Sequence, residues 1–313
     1  MTVAPLIGLL LGGGALAWAP FLAEDARPRA SERRDKAPGE VADLPQGRTH
    51  YRWHGEDEDA PVAVLIHGLT TPSYVWDGVV PGLVDMGYRV LSYDLYGRGW
   101  SDRPPGAQDA DFFLTQLVDL LEALSVAEPV TLFGYSMGGA IAAAFAARYP
   151  AQIEKLVLVA PAGMGGFPTG LTRWMRDGGW TGRWLFHLLY PRQHRRSART
   201  AEAEGVSRSY ARMQAAEADW RGFTPAVLSA LRGVLRDPMA LEHRKIAKEG
   251  LPLLSIWASE DRVIPLEGMG VISRWNRASV QKEVAGAGHW LPLSHPEAVV
   301  RAFRDWLWED GEI

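Results

Sequence analysis

The sequence predicts an α/β fold, with a mostly parallel central sheet and helices on both of its faces. Short apolar runs alternate with segments of helical periodicity along most of the chain. Buried parallel strands are continuous apolar runs, because helices cover both faces of their sheet. The alternation is interrupted between residues 163 and 250, where the pattern is helical and rich in tryptophan and arginine. We therefore expect one α/β core with a helical cap inserted over one end of the sheet.

The core elements are expected in residues 47–162 and 251–313. Between the first two strands, residues 73–86 can form a helix, and leucines at helical spacing predict another over residues 112–124. An alanine-rich segment that is stopped by Pro150 predicts a third helix over residues 137–149. The buried strands are predicted at Pro61–Ile66, Arg89–Asp94, Pro129–Phe133, Lys155–Ala160, Pro252–Trp257 and Val280–Val284.

The insertion over residues 163–250 is expected to form the cap. Its residues 171–199 contain seven arginines against one acid, Asp177, with three tryptophans interleaved. Such a stretch can place an aromatic face over a pocket and arginines against anionic lipid headgroups. An ordinary solvated helical cap has the same composition. A membrane surface is therefore one of two interpretations of this segment.

The N-terminal residues form a separate element. No side chain from Thr2 to Ala23 is charged, and a helix of that length spans about 30 Å, the hydrocarbon thickness of a bilayer. Basic residues follow this stretch, which favours a membrane anchor in residues 1–23 with the rest of the chain in the cytoplasm. A leader cleaved near residues 15–17, with export, and a hydrophobic arm packed on the protein stay open as alternatives. Residues 24–46, rich in charge and proline, are expected to be a linker.

Composition excludes several classes of protein. The 313 residues are 47% hydrophobic and 22% charged, which is typical of a globular protein rather than a disordered or fibrous one. The net charge of −4 provides no global positive field, so nucleic acid is not expected as a partner. The chain contains no cysteine, which excludes disulfides, thiolate metal sites and a cysteine nucleophile.

One motif indicates the chemistry. Gly134-Tyr135-Ser136-Met137-Gly138 matches the pattern G-x-S-x-G and lies between a predicted strand and a predicted helix. A sharp turn at such a junction projects the serine hydroxyl above the sheet edge, and its strained backbone needs the flanking glycines. We therefore predict Ser136 as a nucleophile rather than as a simple helix N-cap.

A serine nucleophile needs a base within hydrogen-bonding reach, and the base needs an acid to orient it. His289 follows the last predicted strand, where its loop can reach Ser136, whereas His295 lies in a pattern typical of a helix N-cap. Asp261 follows the preceding strand. Along the chain the order is then Ser136, Asp261, His289, which is the order found with this type of strand-to-helix turn. Glu260 is kept as a substitute acid.

Acyl transfer also needs hydrogen-bond donors for the oxyanion of its tetrahedral intermediate. The predicted donors are the backbone N–H of Met137, directly after the nucleophile, and that of Leu69, in the loop after the first buried strand. His67 as a metal ligand is a weak alternative, because no second ligand stands at ligand spacing. No metal and no cofactor is expected. The residues predicted to contact substrate are Thr70, Met164 and Trp290.

Several segments together resemble the α/β-hydrolase family over about residues 49–309. They are His67-Gly68, residues 94–102, residues 134–139, residues 261–265 and Gly288-His289. The likeness is to small capped serine hydrolases: esterases, monoacylglycerol-type lipases, C–C bond hydrolases and cofactor-free haloperoxidase-like members. Ala258 departs from the family, which usually carries glycine before the acid. Family members that open epoxides or remove halide use an aspartate nucleophile, so Ser136 argues against both of those chemistries.

The triad and the resemblance predict a serine hydrolase that cleaves carboxylic esters through an acyl-enzyme. The N-terminal segment and the Trp/Arg-rich insertion favour an apolar, lipid-like ester. A C–C bond hydrolase or an acyltransferase would use the same triad and stays an alternative. A non-catalytic binding protein is disfavoured, because all the catalytic roles are filled.

Overall fold

The computed structural model describes residues 16–165, 168 and 170–309. Residues 1–15, which make up most of the predicted anchor or leader, lie outside this description. The described chain opens with a helix, α1, over residues 16–25. In the ranges described, no helix is both long enough and apolar enough to cross a membrane.

An eight-stranded sheet forms the centre of the described structure. Its strands are β1 (Glu40–Leu44), β2 (Gly47–His54), β3 (Val62–Ile66), β4 (Arg89–Tyr93), β5 (Val130–Tyr135), β6 (Ile153–Val159), β7 (Leu253–Ala258) and β8 (Val280–Val284). Their spatial order is β1-β2-β4-β3-β5-β6-β7-β8. The pairs β1–β2 and β2–β4 are antiparallel, and every other pair is parallel. The predicted α/β fold is confirmed, and each predicted strand is present within two residues at either end.

Helices pack on both faces of the sheet. The α-helices after α1 are α2 (Val80–Asp85), α3 (Ala110–Ala123), α4 (Met137–Arg148), α5 (Gly170–Asp177), α6 (Gly179–Thr200), α7 (Arg208–Glu217), α8 (Phe223–Arg232), α9 (Ala240–Lys248), α10 (Glu267–Trp275), α11 (Leu291–Ser294) and α12 (Pro296–Glu309). Neighbouring strand residues point to opposite faces. Leu132 accordingly belongs to a core with α3 and α4, and Phe133 to a second core with α2 and α12.

The single helix predicted for residues 73–86 is wrong. The chain forms a 3-10 helix at Ser73–Trp76 and then the short α2. Pro81 lacks a backbone N–H and therefore cannot continue a helix from the preceding turn. Gly78 lies between the two helices against Pro296, where a Cβ would stand 2.9 Å from the proline ring.

The linker predicted for residues 24–46 is also wrong. Ala30–Lys36 forms a 3-10 helix, and β1 pairs in register with β2. The guanidinium of Arg33 lies between two indole rings, 4.1 Å from Trp100 and 3.8 Å from Trp220. Charge and proline are typical of linkers, but here Arg33 and Arg34 are bonded to Gly99 and Trp100 of the folded core.

Between β6 and β7 the described residues form helices without strands. Helices α5 to α8 lie over the carboxyl edge of the sheet, where several of their side chains line a cavity with residues that follow the strands. Helix α9 instead packs against α4 and α10, and its Ile246 is fully buried in the same core as α3. The cap therefore ends before α9, although it was predicted to extend over residues 163–250.

Candidate active site

Ser136 lies in a strained turn between β5 and α4. Its backbone has φ +52° and ψ −117°, a conformation that L-residues rarely adopt. Its N–H donates to the carbonyl of Val159 at 3.0 Å, and its carbonyl accepts the N–H groups of Gly139 and Ala162, each at 2.9 Å. Such strain persists only where the surrounding structure holds it. These three bonds hold the turn and leave the hydroxyl at the sheet edge.

The glycines of the motif are required by close packing. A Cβ on Gly134 would lie 2.4 Å from the carbonyl oxygen of Gly138, and one on Gly138 would lie 2.2 Å from that of Ile66. Both neighbours are backbone atoms, which cannot rotate away as a side chain can. Gly134 therefore lets α4 approach β5, and Gly138 lets α4 approach β3, closely enough to form the turn.

The three residues predicted as a triad form one hydrogen-bonded chain. His289 Nε2 lies 3.1 Å from Ser136 Oγ, and His289 Nδ1 lies 2.7 Å from Asp261 Oδ2. Asp261 Oδ1 accepts the backbone N–H groups of Val263 and Ile264 at 2.7 and 2.8 Å. With the imidazole proton on Nδ1 and directed at the carboxylate, Nε2 can accept a proton from the serine hydroxyl.

The competing residues lie elsewhere. The Glu260 side chain is exposed, while Asp261 beside it points inward to His289. His295 Nδ1 is 2.9 Å from Ser294 Oγ at the junction of α11 and α12. The structure therefore places Asp261, and neither of these two alternatives, in the chain of hydrogen bonds to Ser136.

The backbone groups predicted as oxyanion donors flank the serine. Met137 is the first residue of α4, where a backbone N–H has no acceptor within the helix. Leu69 lines the cavity together with Ser136. A Cβ on the preceding Gly68 would lie 3.3 Å from the Ser136 Cβ, and the Leu69 carbonyl accepts Arg98 Nε–H at 3.0 Å. The fully buried Arg98 therefore holds this loop beside the serine.

His67 has a structural position. Its Nδ1–H donates to the carbonyl of Gly68 at 2.7 Å, and its Nε2 accepts the backbone N–H of Leu95 at 2.8 Å. Burial lowers the pKa of His67 to about 4, so the ring is neutral. Both nitrogens are thus used within the protein, which argues against His67 as a metal ligand. Within the described ranges, no cluster of three or more His, Asp or Glu side chains could hold a metal ion.

A cavity of about 340 Å³ opens above Ser136, between the core and the cap. Of the three residues predicted to contact substrate, Thr70 and Trp290 line this cavity. Met164 does not. It lines a neighbouring cavity of about 510 Å³, which shares wall residues such as Leu235 and Ile264 with the first.

Sequence reasoning missed the polar side of the cavity. Gln214 of α7 donates from Nε2 to Thr70 Oγ1 at 3.2 Å, and His194 Nε2–H of α6 donates to the Gln214 carbonyl at 2.7 Å. Burial lowers the pKa of His194 to about 4, so the ring is neutral near neutral pH. Tyr190, Gln193, His194 and Ser197 share one face of α6, and that helical spacing is a signal that could have identified them.

A buried ion pair holds the loop that follows β4. His50 Nδ1 lies 2.9 Å from Asp94 Oδ2, and Asp94 also accepts the backbone N–H groups of Ser73 and Trp100 at 2.8 and 2.9 Å. Burial disfavours the charge on His50, but the Asp94 carboxylate and the Pro38 carbonyl together outweigh burial and raise the pKa of His50. Burial likewise opposes the charge on Asp94, yet its partners hold the pKa of Asp94 well below the usual range.

Comparison with known proteins identifies the family. A family model described as alpha/beta hydrolase fold matches residues 61–296. The chain belongs to the α/β-hydrolase family. The resemblance that the sequence motifs indicated is thereby confirmed.

Two curated relatives of this α/β-hydrolase show how far the likeness extends. An uncharacterized protein of Mycobacterium tuberculosis is 36% identical over 104 residues, which cover 33% of this chain and only 30% of that protein. A 2-hydroxymuconate semialdehyde hydrolase of Pseudomonas is 29% identical over 259 residues, which cover 79% of this chain and 86% of the relative.

Solved structures share the fold. A bromoperoxidase of Bacillus anthracis superposes with a TM-score of 0.73 at 23% identity, over 87% of this chain and all of the other. A bacterial membrane phospholipase A superposes with a TM-score of 0.72 at 21% identity, over 99% of this chain and 97% of the other. At these identities the likeness concerns the fold alone.

Proposed function

We propose that this α/β-hydrolase is a serine hydrolase of carboxylic esters. Ser136 attacks the ester carbonyl while His289 accepts its proton, and Asp261 orients His289 and stabilises the imidazolium. The backbone N–H groups of Leu69 and Met137 stabilise the oxyanion. His289 then protonates the departing alcohol, and a water molecule activated by the same imidazole releases the acid from the acyl-enzyme.

The observation that carries this proposal is the continuous hydrogen-bonded chain from Asp261 through His289 to Ser136. The chain ends in a cavity large enough for a small-molecule acyl group. Leu231, Leu235, Val263 and Ile264 give one side of that cavity an apolar surface. An apolar acyl group suits this side, which supports an apolar or lipid-like ester as the substrate.

The test replaces the nucleophile. The Ser136→Ala variant should hydrolyse p-nitrophenyl esters with a kcat lower by about 10⁴-fold or more, because the group that forms the acyl-enzyme is missing. A fluorophosphonate probe should label wild type on Ser136 and leave the variant unlabelled. Ser273→Ala is the matched control, because its hydroxyl only bonds the Met269 carbonyl within α10. Wild-type esterase activity in the Ser136 variant would refute the proposal.

A C–C bond hydrolase is the second candidate, and an acyltransferase uses the same acyl-enzyme. The Pseudomonas relative, a 2-hydroxymuconate semialdehyde hydrolase by name, favours the C–C bond candidate, as does the polar cavity side formed by His194 and Gln214. Both alternatives can be measured with the same protein. A kcat/KM higher for a vinylogous diketone than for every ester indicates C–C cleavage. A new ester formed with an added alcohol indicates acyl transfer.

A further inference from the structure

Helix α1 exposes an apolar side and buries Glu24 on the opposite side. Leu16, Trp18 and Leu22 are 68%, 59% and 60% exposed, and they share one side of the helix with two exposed alanines. The opposite side carries Glu24, which is only 5% exposed. A helix that packs on a globular protein normally buries its apolar side. The exposed apolar side of α1 is therefore left without a partner within the part of the chain that the structure describes.

Specific bonds hold α1 in this orientation. Glu24 Oε1 accepts the backbone N–H of Gly222 at 2.7 Å, and Arg221 donates to Asp25 at 2.8 Å. Near the other end, Trp184 Nε1 lies 3.4 Å from the Leu16 carbonyl oxygen, and the Phe21 ring packs 4.9 Å from His187. Turning the helix over would break these bonds and expose the ring of Phe21. The outward direction of the apolar side is thus built into the cap.

The cap continues the apolar surface of α1. Leu171 and Trp174 lie on one side of α5 with exposures of 56% and 50%, and Trp180, at the start of α6, is 53% exposed. The Phe21 ring joins the two parts, 6.4 Å from Trp180. We call the exposed set the apolar face: Leu16, Trp18, Leu22, Leu171, Trp174 and Trp180. Six of the ten exposed large hydrophobic side chains of the described structure belong to it, as in an interaction site rather than scattered surface residues.

Arginines accompany the apolar face along α5 and α6. Arg173 is the neighbour of Trp174 on α5, and the Arg183 guanidinium of α6 lies 5.2 Å from the centre of the Phe21 ring. Both arginines are exposed, and neither forms a salt bridge among the described residues. Two acids of this region are paired instead, Asp177 with Arg176 and Asp25 with Arg221. The surface thus combines exposed tryptophan and leucine with net positive charge, which is typical of proteins that lie on an anionic membrane.

We propose that the apolar face and its arginines dock on an anionic lipid bilayer. Tryptophan and leucine would enter the region of the headgroups, and the arginines would contact lipid phosphates. A second copy of the chain fits less well, because an isologous contact would bring the same arginines together. The surface lies beside the cavity above Ser136, because Thr172 of α5 and the exposed Gln193 and Ser197 of α6 line that cavity. If the proposed ester hydrolysis holds, a lipid substrate can enter from the docked membrane.

Vesicle co-sedimentation tests the docking surface separately from catalysis. The full chain with Ser136→Ala avoids lipid hydrolysis and should bind vesicles that contain phosphatidylglycerol. In this background, Leu22→Ser or Trp174→Ser should each weaken binding by about tenfold, because an apolar contact with the membrane is lost. Arg173→Gln should weaken binding by about fivefold on anionic vesicles and leave binding to pure phosphatidylcholine vesicles unchanged.

The matched controls are Leu241→Ser and Trp308→Ser. These side chains are 71% and 57% exposed on α9 and α12, outside the apolar face, so vesicle binding should not change. In the background that retains Ser136, hydrolysis of a soluble p-nitrophenyl ester and the thermal midpoint show that the variants fold. Equal binding of apolar-face and control variants would overturn the proposal. The proposal would also be overturned if the apolar-face variants lost dimers, measured by sedimentation velocity, but bound vesicles like wild type. Loss of ester hydrolysis in Ser136→Ala without loss of vesicle binding leaves both proposals standing and shows that they are independent.

Discussion

The Asp261→Asn substitution tests whether the carboxylate acts by fixing the tautomer of His289. Asp261 Oδ1 accepts two backbone N–H groups, from Val263 and Ile264, whereas Oδ2 faces His289 Nδ1 at 2.7 Å. In asparagine only the amide oxygen can accept those two N–H groups. The amide nitrogen must therefore face His289, where it donates a hydrogen bond in place of accepting one.

This reversal should disable the base without unfolding its loop. With the amide donating to Nδ1, the imidazole proton moves to Nε2, which can then no longer accept the Ser136 hydroxyl proton. A wrong tautomer lowers kcat by about 10⁴-fold in this type of triad, which corresponds to about 5.5 kcal/mol in activation free energy. The hydrogen bonds to Val263 and Ile264 persist, so we expect the free energy of unfolding to change by no more than about 1 kcal/mol.

The assay is pre-steady-state acylation with a p-nitrophenyl ester, together with urea unfolding of the same samples. Glu260→Gln is the matched control, because that carboxylate is the exposed neighbour and makes the same change from acid to amide. The control should keep wild-type acylation. An Asp261→Asn variant within about tenfold of the wild-type acylation rate would refute the tautomer argument. A Glu260→Gln variant that loses as much activity would assign the acid to Glu260.

Two further predictions concern the turn that carries Ser136 and the buried ion pair of His50 and Asp94. Gly138→Ala places a Cβ 2.2 Å from the Ile66 carbonyl oxygen, so α4 must move. We expect kcat/KM to fall by about 100-fold and stability by about 1–3 kcal/mol. Gly270→Ala is the control, because its Cβ would meet only the flexible Arg274 side chain, at 3.7 Å; it should stabilise the protein by about 0.5–1 kcal/mol. Thermal melts and ester kinetics compare the two variants, and equal effects of both substitutions would contradict this reasoning. Because the pKa of His50 is raised in the folded state, the ion pair with Asp94 contributes fully to the free energy of unfolding below about pH 6.5. This contribution is lost as the pH rises through the higher pKa of the folded state. The stability advantage of wild type over His50→Gln in urea melts should therefore shrink as the pH rises, and a pH-independent difference would contradict the ion pair.

The sequence predicted the parallel sheet and the catalytic constellation because both follow from strong local signals. The strands from β3 to β8 are bounded by turn residues, and most of them are apolar runs. Ser136, Asp261 and His289 each follow a strand, and the carboxyl ends of parallel strands meet at one edge of the sheet. The topology thus brings together residues that are up to 153 positions apart in the chain.

The antiparallel edge and the cap could not be predicted in the same way. Strands β1 and β2 contain many polar side chains, because β1 is an exposed edge and only part of β2 is buried. In α6, the cavity-lining Tyr190, Gln193, His194 and Ser197 share one helical face, whereas arginines are common at the other exposed positions. The spacing identifies such a face, but tertiary packing decides whether the face encloses a cavity or packs against another helix.

Residues 24–46, which the sequence predicted to be a linker, help to fix the cap to the core. Glu217 of the cap helix α7 accepts the backbone N–H of Gly99, in the core, at 2.9 Å and contacts Arg33 at 3.3 Å. Burial raises the pKa of Glu217, although Arg103 and Arg33 oppose that rise. Separating a buried charge from its partners costs about 3–5 kcal/mol. Lifting the cap would require that separation, so substrate should enter beside Thr172 and Ser197 rather than through an opening of the whole cap.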